Sequence, residues 1–354
     1  MDKVFKGKKV LVTGHTGFKG SWLAVWLNEL GAEVYGLSLN IPTKPAHYNL
    51  FENVVVYEEF LNISEAQLIS EYIQKVAPDF IFHLAAQPIV LDSYEDPLNT
   101  FYSNTLGTAN VLDSLRKLDN KCIAVMITSD KCYDNQELTR GYSEEDRLGG
   151  KDPYSGSKGA AELIIRSYTE SFFKKEDSSI SLAIGRAGNV IGGGDWAPHR
   201  IVPDCIRAWS EKKNLEIRNP NSTRPWQHVL EPLSGYLFLA EALGNDATLT
   251  GEAFNFGPSE GEEYTVGDLV NELSLTWKNS SWSNVGNKES SYYEAGLLKL
   301  NCEKAKNLLH WKPCLSFKQT AEWTGDWYYH YYHKNPKEAF NLTRSQICDY
   351  MELI

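Results

Sequence analysis

Short β-rich apolar segments alternate with longer segments of helical periodicity through the first half of the chain. The strand-like segments cover residues 9–12, 33–37, 80–83, 123–127 and 181–186. The helical segments between them cover residues 17–30, 65–76, 98–118 and 153–173. Because neighbouring parallel strands need a crossover connection, this alternation predicts an α/β fold with a doubly wound parallel sheet and helices on both faces.

The alternation ends after residue 186. Beyond it, Gly-rich, Asn/Pro-rich and polar stretches interrupt shorter elements; these stretches cover residues 192–194, 219–225 and 278–291. We therefore predict a first domain over residues 1–185, to which a segment at about 226–250 returns, and a smaller, loop-rich domain mainly over residues 186–354. Ligands of open α/β sheets bind beyond the carboxyl ends of the strands, so the second domain is expected to cover that edge and select a substrate.

Composition and charge exclude several classes of protein. The 354 residues include 46 acidic and 35 basic side chains, and the resulting net charge of −11 argues against a surface that binds nucleic acid or anionic membranes. Apolar stretches are broken well short of the ~20 residues that a membrane span needs. The N-terminal residues lead into the first strand-like segment without an apolar signal core, so we expect a cytoplasmic protein.

The sequence predicts no metal site. The six cysteines are scattered without a Cys-x-x-Cys pair, which indicates reduced thiols rather than a zinc site or a disulfide framework. An aromatic segment at residues 323–333 contains a pair of histidines, which alone is weak evidence for a metal site. We interpret that segment as helix packing or a subunit contact.

A glycine-punctuated turn follows the first strand-like segment and leads into the first helical one. Gly14, Gly17 and Gly20 have the spacing Gly-x-x-Gly-x-x-Gly. In this strand, turn and helix context the spacing indicates a Rossmann-type dinucleotide-binding fold, in which backbone N–H groups bind a pyrophosphate. The alternative is a glycine-rich turn without a ligand. The other residues of this turn that we assign to the cofactor are Thr16, Phe18 and Lys19.

The second strand-like segment is followed by Asn40 rather than by the carboxylate that usually binds the cofactor ribose about twenty residues after the glycines. Asn40 can hydrogen-bond a 2′-hydroxyl but repels a 2′-phosphate less than a carboxylate would, and Lys44 lies nearby in the chain. We expect NAD as the cofactor and leave NADP open.

Tyr154 and Lys158 lie four residues apart at the start of a predicted helix, where Pro153 suits the first turn. Side chains at this spacing share one helix face. A cation beside the phenol would lower its pKa and allow Tyr154 to act as a base near neutral pH. Alone, the pattern is common by chance and describes an exposed helix pair; together with the glycine turn it predicts catalysis.

These motifs resemble the extended short-chain dehydrogenase/reductases, the NAD-dependent epimerase/dehydratase family, which join a Rossmann domain to a smaller nucleotide-sugar domain. Further matches are the segments 83–87 (His-Leu-Ala-Ala-Gln) and 104–108 (Asn-Thr-Leu-Gly-Thr). The resemblance implies that Tyr154 takes a sugar hydroxyl proton and that Lys158 anchors the nicotinamide ribose. It also implies cofactor contacts by Ala85, Ala86 and Asn104 and a substrate contact by Gln87.

Ser129, Asp130 and Lys131 follow the strand-like segment 123–127 and present a hydroxyl, a carboxylate and an amine at the edge where catalytic groups collect. The alternative is a polar loop that faces solvent. In the 4,6-dehydratases of the family this position usually reads Thr-Asp-Glu, and here Lys131 stands in place of the glutamate. Together with segments 186–196 and 218–235, this replacement resembles the family members that act on CDP-glucose.

That resemblance implies conversion of CDP-D-glucose to CDP-4-keto-6-deoxy-D-glucose and water without net redox change, as a step in deoxysugar biosynthesis for O-antigen lipopolysaccharide. Asp130 would be the acid for the departing C6 hydroxyl, and Lys131, as a neutral amine, the base for the C5 proton. The implied substrate-binding residues are Asn189 and Arg224 at the diphosphate, together with Arg200 and His228.

Other functions remain open at this point. A nucleotide-sugar epimerase or decarboxylase would share the glycines and the Tyr154 and Lys158 pair, and a 4,6-dehydratase could act on another nucleotide hexose. A catalytically idle dinucleotide sensor would keep the glycines alone. We further expect a homo-oligomer, either a dimer or a tetramer.

Overall fold

The computed structural model describes residues 2–259, 261, 264–278, 280–286 and 297–354. Within the polar stretch 278–291, residue 279 and residues 287–291 lie outside the described residues. The central sheet has seven strands: β1 (Lys9–Thr13), β2 (Glu33–Ser38), β3 (Tyr57–Phe60), β4 (Phe80–His83), β5 (Cys122–Ile127), β6 (Ile180–Ala187) and β7 (Ala253–Phe256). Their order is β7-β6-β5-β4-β1-β2-β3, and every neighbouring pair is parallel. The predicted parallel α/β sheet is confirmed.

Helices cover both faces of the sheet because successive residues of each strand point to opposite sides. In β1, Val10 and Val12 belong to the core on the side of the helix Phe18–Glu29. Leu11 belongs to the core on the other side, with Ile69 of the helix Ala66–Val76. The strands are therefore buried on both faces, and only their ends are available for a site.

Two strands of the sheet were not predicted. β3 reads Tyr-Glu-Glu-Phe and forms one edge, where polar side chains are tolerated and the apolar pattern is weak. β7 forms the opposite edge and comes from the second half of the chain. It lies just after the helix Leu230–Asn245, which packs against β5 and β6. The division into two domains stays a prediction.

The predicted helices form with shifted ends. The segment 98–118 forms as Pro97–Phe101, a π-helical turn Tyr102–Leu106 and Gly107–Leu115, and the segment 153–173 forms as Pro153–Tyr168 followed by a π-helical turn Thr169–Phe173. The remaining α-helices are Asp2–Phe5, Val90–Glu95, Ile201–Ser210, Val266–Thr276, Glu303–Leu309, Phe317–His333 and Pro336–Met351. Short 3-10 turns cover His47–Leu50, Asp130–Cys132 and Ala247–Leu249.

Three two-stranded pairs lie outside the central sheet: Val190–Ile191 with Gln227–His228, Leu215–Ile217 with Trp282–Asn284, and Thr223–Arg224 with Tyr264–Thr265. The first pair joins the second half of the chain to the residues just after β6. The aromatic segment lies in the helix Phe317–His333, where Trp327 and Tyr328 are buried against Trp196. Across the described ranges, every helix is too short or too polar to cross a membrane.

Candidate active site

A cavity of about 1060 Å³ lies beyond the carboxyl ends of β1, β4, β5 and β6. This is the edge at which open α/β sheets bind ligands. It brings together the glycine turn, the helix that carries Tyr154 and the segment after β5. The predicted residues that line it are Gly14, Thr16, Phe18, Lys19, Gly20, Ala86, Ser129, Asp130, Lys131, Tyr154, Lys158, Asn189, Arg200 and Arg224.

The glycine turn forms a cradle that larger residues would fill. Gly14 has φ +76°, a left-handed conformation, and a β-carbon there would lie 2.9 Å from the Ala85 amide nitrogen. A β-carbon on Gly20 would lie 2.0 Å from the Gly14 carbonyl oxygen. The helix Phe18–Glu29 begins within this motif, with Gly17 as its N-cap and Gly20 in its first turn, so its amino end lines the cavity. Such a helix end and close backbone approach suit a dinucleotide pyrophosphate.

Gly20→Ala should weaken dinucleotide binding sharply and cost about 1–3 kcal/mol of stability, because the added methyl group must displace the turn backbone. Gly244→Ala is the matched control, because it adds the same methyl group to a helical glycine that does not line the cavity, where the β-carbon would lie 3.2 Å from the flexible Ile123 side chain. Fluorescence titration with NAD and thermal unfolding measure both effects. Equal NAD affinity in the two variants would contradict this account of the cradle.

The end of β2 is tied to the glycine turn through backbone and side-chain contacts. The Thr16 hydroxyl donates to the Asn40 carbonyl oxygen at 2.7 Å, while the Asn40 residue is exposed. Ser38 Oγ lies 2.9 Å from His15 Nδ1, and His15 Nε2 lies 2.5 Å from a Glu58 carboxylate oxygen. Burial lowers the pKa of His15, although Glu58 opposes this shift. The Glu58 carboxylate on β3 therefore already has a partner within the protein.

Tyr154 occupies the first turn of the helix Pro153–Tyr168, which Asp152 caps by accepting from the Ser155 amide at 2.9 Å. The tyrosine is 8% exposed and its hydroxyl hydrogen-bonds Ser129. Burial raises the Tyr154 pKa to about 12, the Ser129 hydrogen bond lowers it, and the Asp130 charge raises it. The expectation of a lowered phenol pKa is therefore wrong, because burial outweighs the Ser129 hydrogen bond and the charge of Arg200.

Lys158 lies one turn further along the same helix and is also buried. Burial lowers its pKa to about 8, while Cys132 and Glu162 act in the opposite direction. Its ammonium therefore loses its proton much closer to neutral pH than an exposed lysine does.

The segment after β5 forms the compact 3-10 turn Asp130–Cys132, with Ser129 as its cap. Ser129 Oγ accepts from the Lys131 amide at 3.3 Å and donates to Asp130 Oδ1 at 2.9 Å. Asp130 is 3% exposed; burial raises its pKa, and the charge of Lys131 opposes this shift. A β-carbon on Gly188 would lie 2.9 Å from Asp130 Oδ2, so the loop after β6 closes over the carboxylate. A buried carboxyl with a raised pKa is suited to donate a proton.

Seven basic and six acidic side chains line the cavity, a more positive balance than that of the acidic chain as a whole. Arg200 Nη1 lies 2.8 Å from Asp195 Oδ2, and Arg224 Nη1 donates to the Thr223 carbonyl at 2.8 Å. Lys19 lies 3.2 Å from the Tyr236 hydroxyl; burial lowers the Lys19 pKa to about 7, and the charges of neighbouring cations add to this shift. The basic residues that line the cavity are Lys19, Lys131, Lys151, Lys158, Arg200, Arg218 and Arg224. Such a cluster suits the phosphates of a dinucleotide and of a nucleotide sugar.

Six predicted residues do not line this cavity: Gly17, Asn40, Ala85, Gln87, Asn104 and His228. Asn104 is buried and ties the loop after β4 to the helix Pro153–Tyr168. Its side chain accepts from the Gln87 amide at 2.8 Å and donates to Ser157 Oγ at 2.9 Å. The Gln87 side-chain amide donates to Thr100 Oγ1 at 3.0 Å. These two side chains hold the loop in the structure, and their ligand contacts stay predictions.

His228 lies in the core rather than at the cavity. It is 0% exposed and packs edge-on against Trp22 and Trp323, with ring centroids 5.9 and 5.7 Å away. Burial lowers its pKa to about 3, so the ring is neutral. Contact between His228 and the substrate stays a prediction, and a buried position away from the cavity does not favour it.

Sequence reasoning missed an ion pair between Glu162 and Arg186 that lies behind the catalytic segments. The sequence did contain a sign of it. Glu162 follows Tyr154 and Lys158 at the same spacing of four, which places it on the helix face of the predicted pair. A glutamate in a helix normally indicates a solvated surface, and only the packing of the helix against β6 shows that this one is buried.

Comparison with known proteins identifies the family. The family described as GDP-mannose 4,6 dehydratase matches residues 11–324. CDP-glucose 4,6-dehydratase of Salmonella typhimurium is 42% identical over 361 aligned positions, which cover 99% of this chain and 98% of that protein. CDP-paratose 2-epimerase of Salmonella typhi is 26% identical and covers 90% of this chain and 98% of its own length.

Solved structures share the fold. Pal from Bacillus thuringiensis has a TM-score of 0.75 at 26% identity, covering 90% of this chain and 98% of that chain. A dTDP-glucose 4,6-dehydratase from Bacillus anthracis, solved in complex with NAD, has a TM-score of 0.74 at 22% identity, covering 92% and 97%. The family resemblance seen in the motifs is confirmed, and the chain belongs to the GDP-mannose 4,6 dehydratase family of nucleotide-sugar dehydratases.

Proposed function

We propose that this protein converts CDP-D-glucose to CDP-4-keto-6-deoxy-D-glucose and water, with NAD as a recycled cofactor. The observation that carries the proposal is the convergence of Tyr154, Lys158 and the turn with Asp130 and Lys131 on one cation-lined cavity. The full-length similarity to a CDP-glucose 4,6-dehydratase supports the choice of substrate.

The glycine cradle, Thr16, Phe18 and Lys19 would hold the dinucleotide, and Lys158 would hold its nicotinamide ribose. The NAD complex of the Bacillus anthracis dehydratase supports NAD as the cofactor, whereas the neutral Asn40 just after β2 does not discriminate against NADP. A bound nicotinamide would supply the acceptor and donor of hydride and, when oxidised, a positive charge that lowers the pKa of a neighbouring phenol.

Tyr154 takes the proton of the C4 hydroxyl as C4 is oxidised, and its hydrogen bond to Ser129 orients the phenol for this transfer. Arg224 and Asn189 bind the diphosphate, for which a guanidinium provides a planar set of donors. Arg200, fixed by its ion pair with Asp195, adds positive charge to the same cavity.

Oxidation at C4 makes the C5 proton acidic, because the ketone stabilises the resulting carbanion. Lys131 removes that proton, and Asp130 donates a proton to the departing C6 hydroxyl, so that one water molecule leaves. C6 then gains a hydride and C5 regains a proton. The sum is loss of water with no net oxidation, and the cofactor returns to its starting state.

Incubation of the purified protein with CDP-, dTDP-, UDP- and GDP-hexoses, each with NAD, with NADP and without added cofactor, tests this function. Mass spectrometry should show loss of one water from CDP-glucose, fastest with NAD. An unchanged mass with a changed sugar would indicate an epimerase, and no turnover of any substrate would indicate a dinucleotide sensor.

Cofactor binding should weaken as pH rises through about 8, because the Lys158 ammonium that would anchor the nicotinamide ribose loses its proton there. The affinity falls with rising pH because the charged form of the buried Lys158 dominates below about 8 and is lost above it. Lys19 titrates at about 7, so Lys158→Arg is the diagnostic variant. It should remove the upper limb from a plot of NAD dissociation constant against pH, and an unchanged limb would contradict the assignment.

We also propose that the protein works in the cytoplasm as a homodimer or homotetramer. Exposed apolar side chains on adjacent helices support self-association; they are Leu98, Tyr102, Leu106 and Leu163. Light scattering coupled to size-exclusion chromatography measures the assembly.

A further inference from the structure

The ion pair between Glu162 and Arg186 lies deep in the protein. Glu162 is 2% exposed and Arg186 is 3% exposed. Arg186 Nε donates to Glu162 Oε1 at 2.8 Å, and Arg186 Nη2 makes a second, short bond to Glu162 Oε2. Two parallel bonds of this kind fix the relative orientation of a guanidinium and a carboxylate as well as their distance. The pair therefore joins the helix Pro153–Tyr168 rigidly to β6.

The same two side chains hold both ends of the catalytic turn. Thr128, just before the turn, donates from its hydroxyl to Glu162 Oε1 at 2.6 Å. Tyr133, just after it, receives a hydrogen bond from Arg186 Nη1 at 2.7 Å. The Tyr133 hydroxyl in turn donates to Asn255 Oδ1 on β7 at 2.8 Å. The turn that carries the acid and the amine is thus fixed from behind through Thr128 before it and Tyr133 after it.

The other half of the chemistry is attached to the same pair by a different route. Glu162 lies one helical turn after Lys158 and two turns after Tyr154. Those two groups are held by the helix itself, whose amino end Asp152 caps. The helix does not need Thr128 or Tyr133 to keep its shape, whereas the three-residue turn has the Ser129 cap and two backbone bonds, from the Cys132 amide to the Ser129 oxygen at 3.1 Å and from the Tyr133 amide to the Asp130 oxygen at 3.4 Å.

We propose that Glu162 and Arg186 are positioning residues for the elimination half of the reaction: they hold Asp130 and Lys131 against the substrate carbon chain. The inference rests on the proposed dehydration. Weakening the Glu162–Arg186 pair, or its bonds to the residues beside the turn, shifts the turn relative to Tyr154. Removal of the C5 proton and loss of water then slow down. Oxidation at C4 depends on Tyr154 and Lys158, which the helix holds, and it slows less than the elimination because the Ser129 hydrogen bond to Tyr154 is its link to the turn.

Thr128→Val and Tyr133→Phe are the variants that test this, because each removes one hydroxyl link and leaves the buried pair and the side-chain volume in place. In single-turnover reactions with CDP-glucose and NAD, reduced nicotinamide absorbance reports oxidation and mass spectrometry reports loss of water. We expect dehydration to slow by about 10-fold to 100-fold, with the oxidised, undehydrated hexose accumulating. The oxidation rate should fall by a much smaller factor, because the helix still holds Tyr154 and Lys158.

Glu162→Gln and Arg186→Lys test the pair itself, and Glu231→Gln is the matched control. Glu231 is another buried carboxylate, which accepts from the Leu315 amide and from the Tyr350 hydroxyl, both at 2.6 Å, away from the cavity. Its loss should lower the unfolding temperature without changing the ratio of dehydration to oxidation. The two pair variants should change that ratio; Arg186→Lys keeps the charge but cannot make the two parallel bonds to Glu162 together with the bond to Tyr133.

The positioning role would be overturned if Thr128→Val and Tyr133→Phe kept the ratio of dehydration rate to oxidation rate of the unmodified protein, whether both steps kept their rates or both slowed equally. If the unmodified protein dehydrates no CDP-hexose, the proposed function fails and the positioning role fails with it. If the unmodified protein dehydrates CDP-glucose normally and the variants keep its ratio of dehydration to oxidation, only the positioning role of Glu162 and Arg186 fails.

Discussion

Tyr154→Phe should lower kcat by about 10²-fold to 10⁴-fold, the range that a positioned proton acceptor contributes. Phenylalanine keeps the buried ring and the helix start, and removes only the hydroxyl that contacts Ser129 and would take the C4 proton. CDP-glucose should still bind, because the diphosphate contacts assigned to Arg224 and Asn189 do not involve the phenol. Steady-state turnover and calorimetric binding to the substrate measure the two effects separately.

Tyr350→Phe is the control for loss of a buried tyrosine hydroxyl. Tyr350 is fully buried and donates to Glu231 at 2.6 Å, on the side of the protein away from the cavity. Its variant should lose stability and retain kcat. A Tyr154→Phe protein that turns over as fast as Tyr350→Phe would remove Tyr154 from the proposed mechanism.

Lys131→Met should stop the reaction after oxidation. Methionine keeps most of the apolar length of the side chain but cannot take the C5 proton, so we expect dehydration to slow by about 10²-fold or more. The oxidised hexose and reduced nicotinamide should then accumulate. Exchange of the C5 hydrogen with deuterated solvent, followed by mass spectrometry, measures the proton removal directly.

Survival of C5 exchange at the rate of the unmodified protein in Lys131→Met would show that another group is the base. Lys131→Glu is a useful comparison, since the family resemblance gives glutamate at this position in other 4,6-dehydratases. A carboxylate at the same point of the turn should restore part of the exchange that methionine abolishes.

The sequence predicted the strands whose apolar runs are buried on both faces and missed those at the edges. β1, β2, β4 and β5 were identified to within one residue at each end. β3 escaped detection because its two glutamates mask the pattern, and a strand on the sheet edge tolerates them. β7 escaped because no alternation of strands and helices leads up to it in the second half of the chain.

For the site, local motifs were predictable and long-range contacts were not. The glycine turn, the Tyr154 and Lys158 pair and the turn with Asp130 are each contiguous in sequence, and one sheet edge brings them together. The pairing of Glu162 with Arg186 joins residues 24 positions apart, and it depends on how a helix packs on a strand. The raised pKa of Tyr154 has the same origin, since burial is a property of the folded chain alone.

The position of β7 sets a time at which the active site becomes complete during synthesis. Asn255 accepts from the Tyr133 hydroxyl at 2.8 Å and donates to the Tyr142 carbonyl oxygen at 2.9 Å, so it braces the region after the catalytic turn. Residues 188–252 must leave the ribosome before β7 can pair with β6. Their synthesis takes several seconds at about 5–20 residues per second. Until then β6 is an open edge that a second nascent chain could occupy. A nascent chain that stops short of residue 253 thus carries every catalytic side chain but lacks the last brace of the turn.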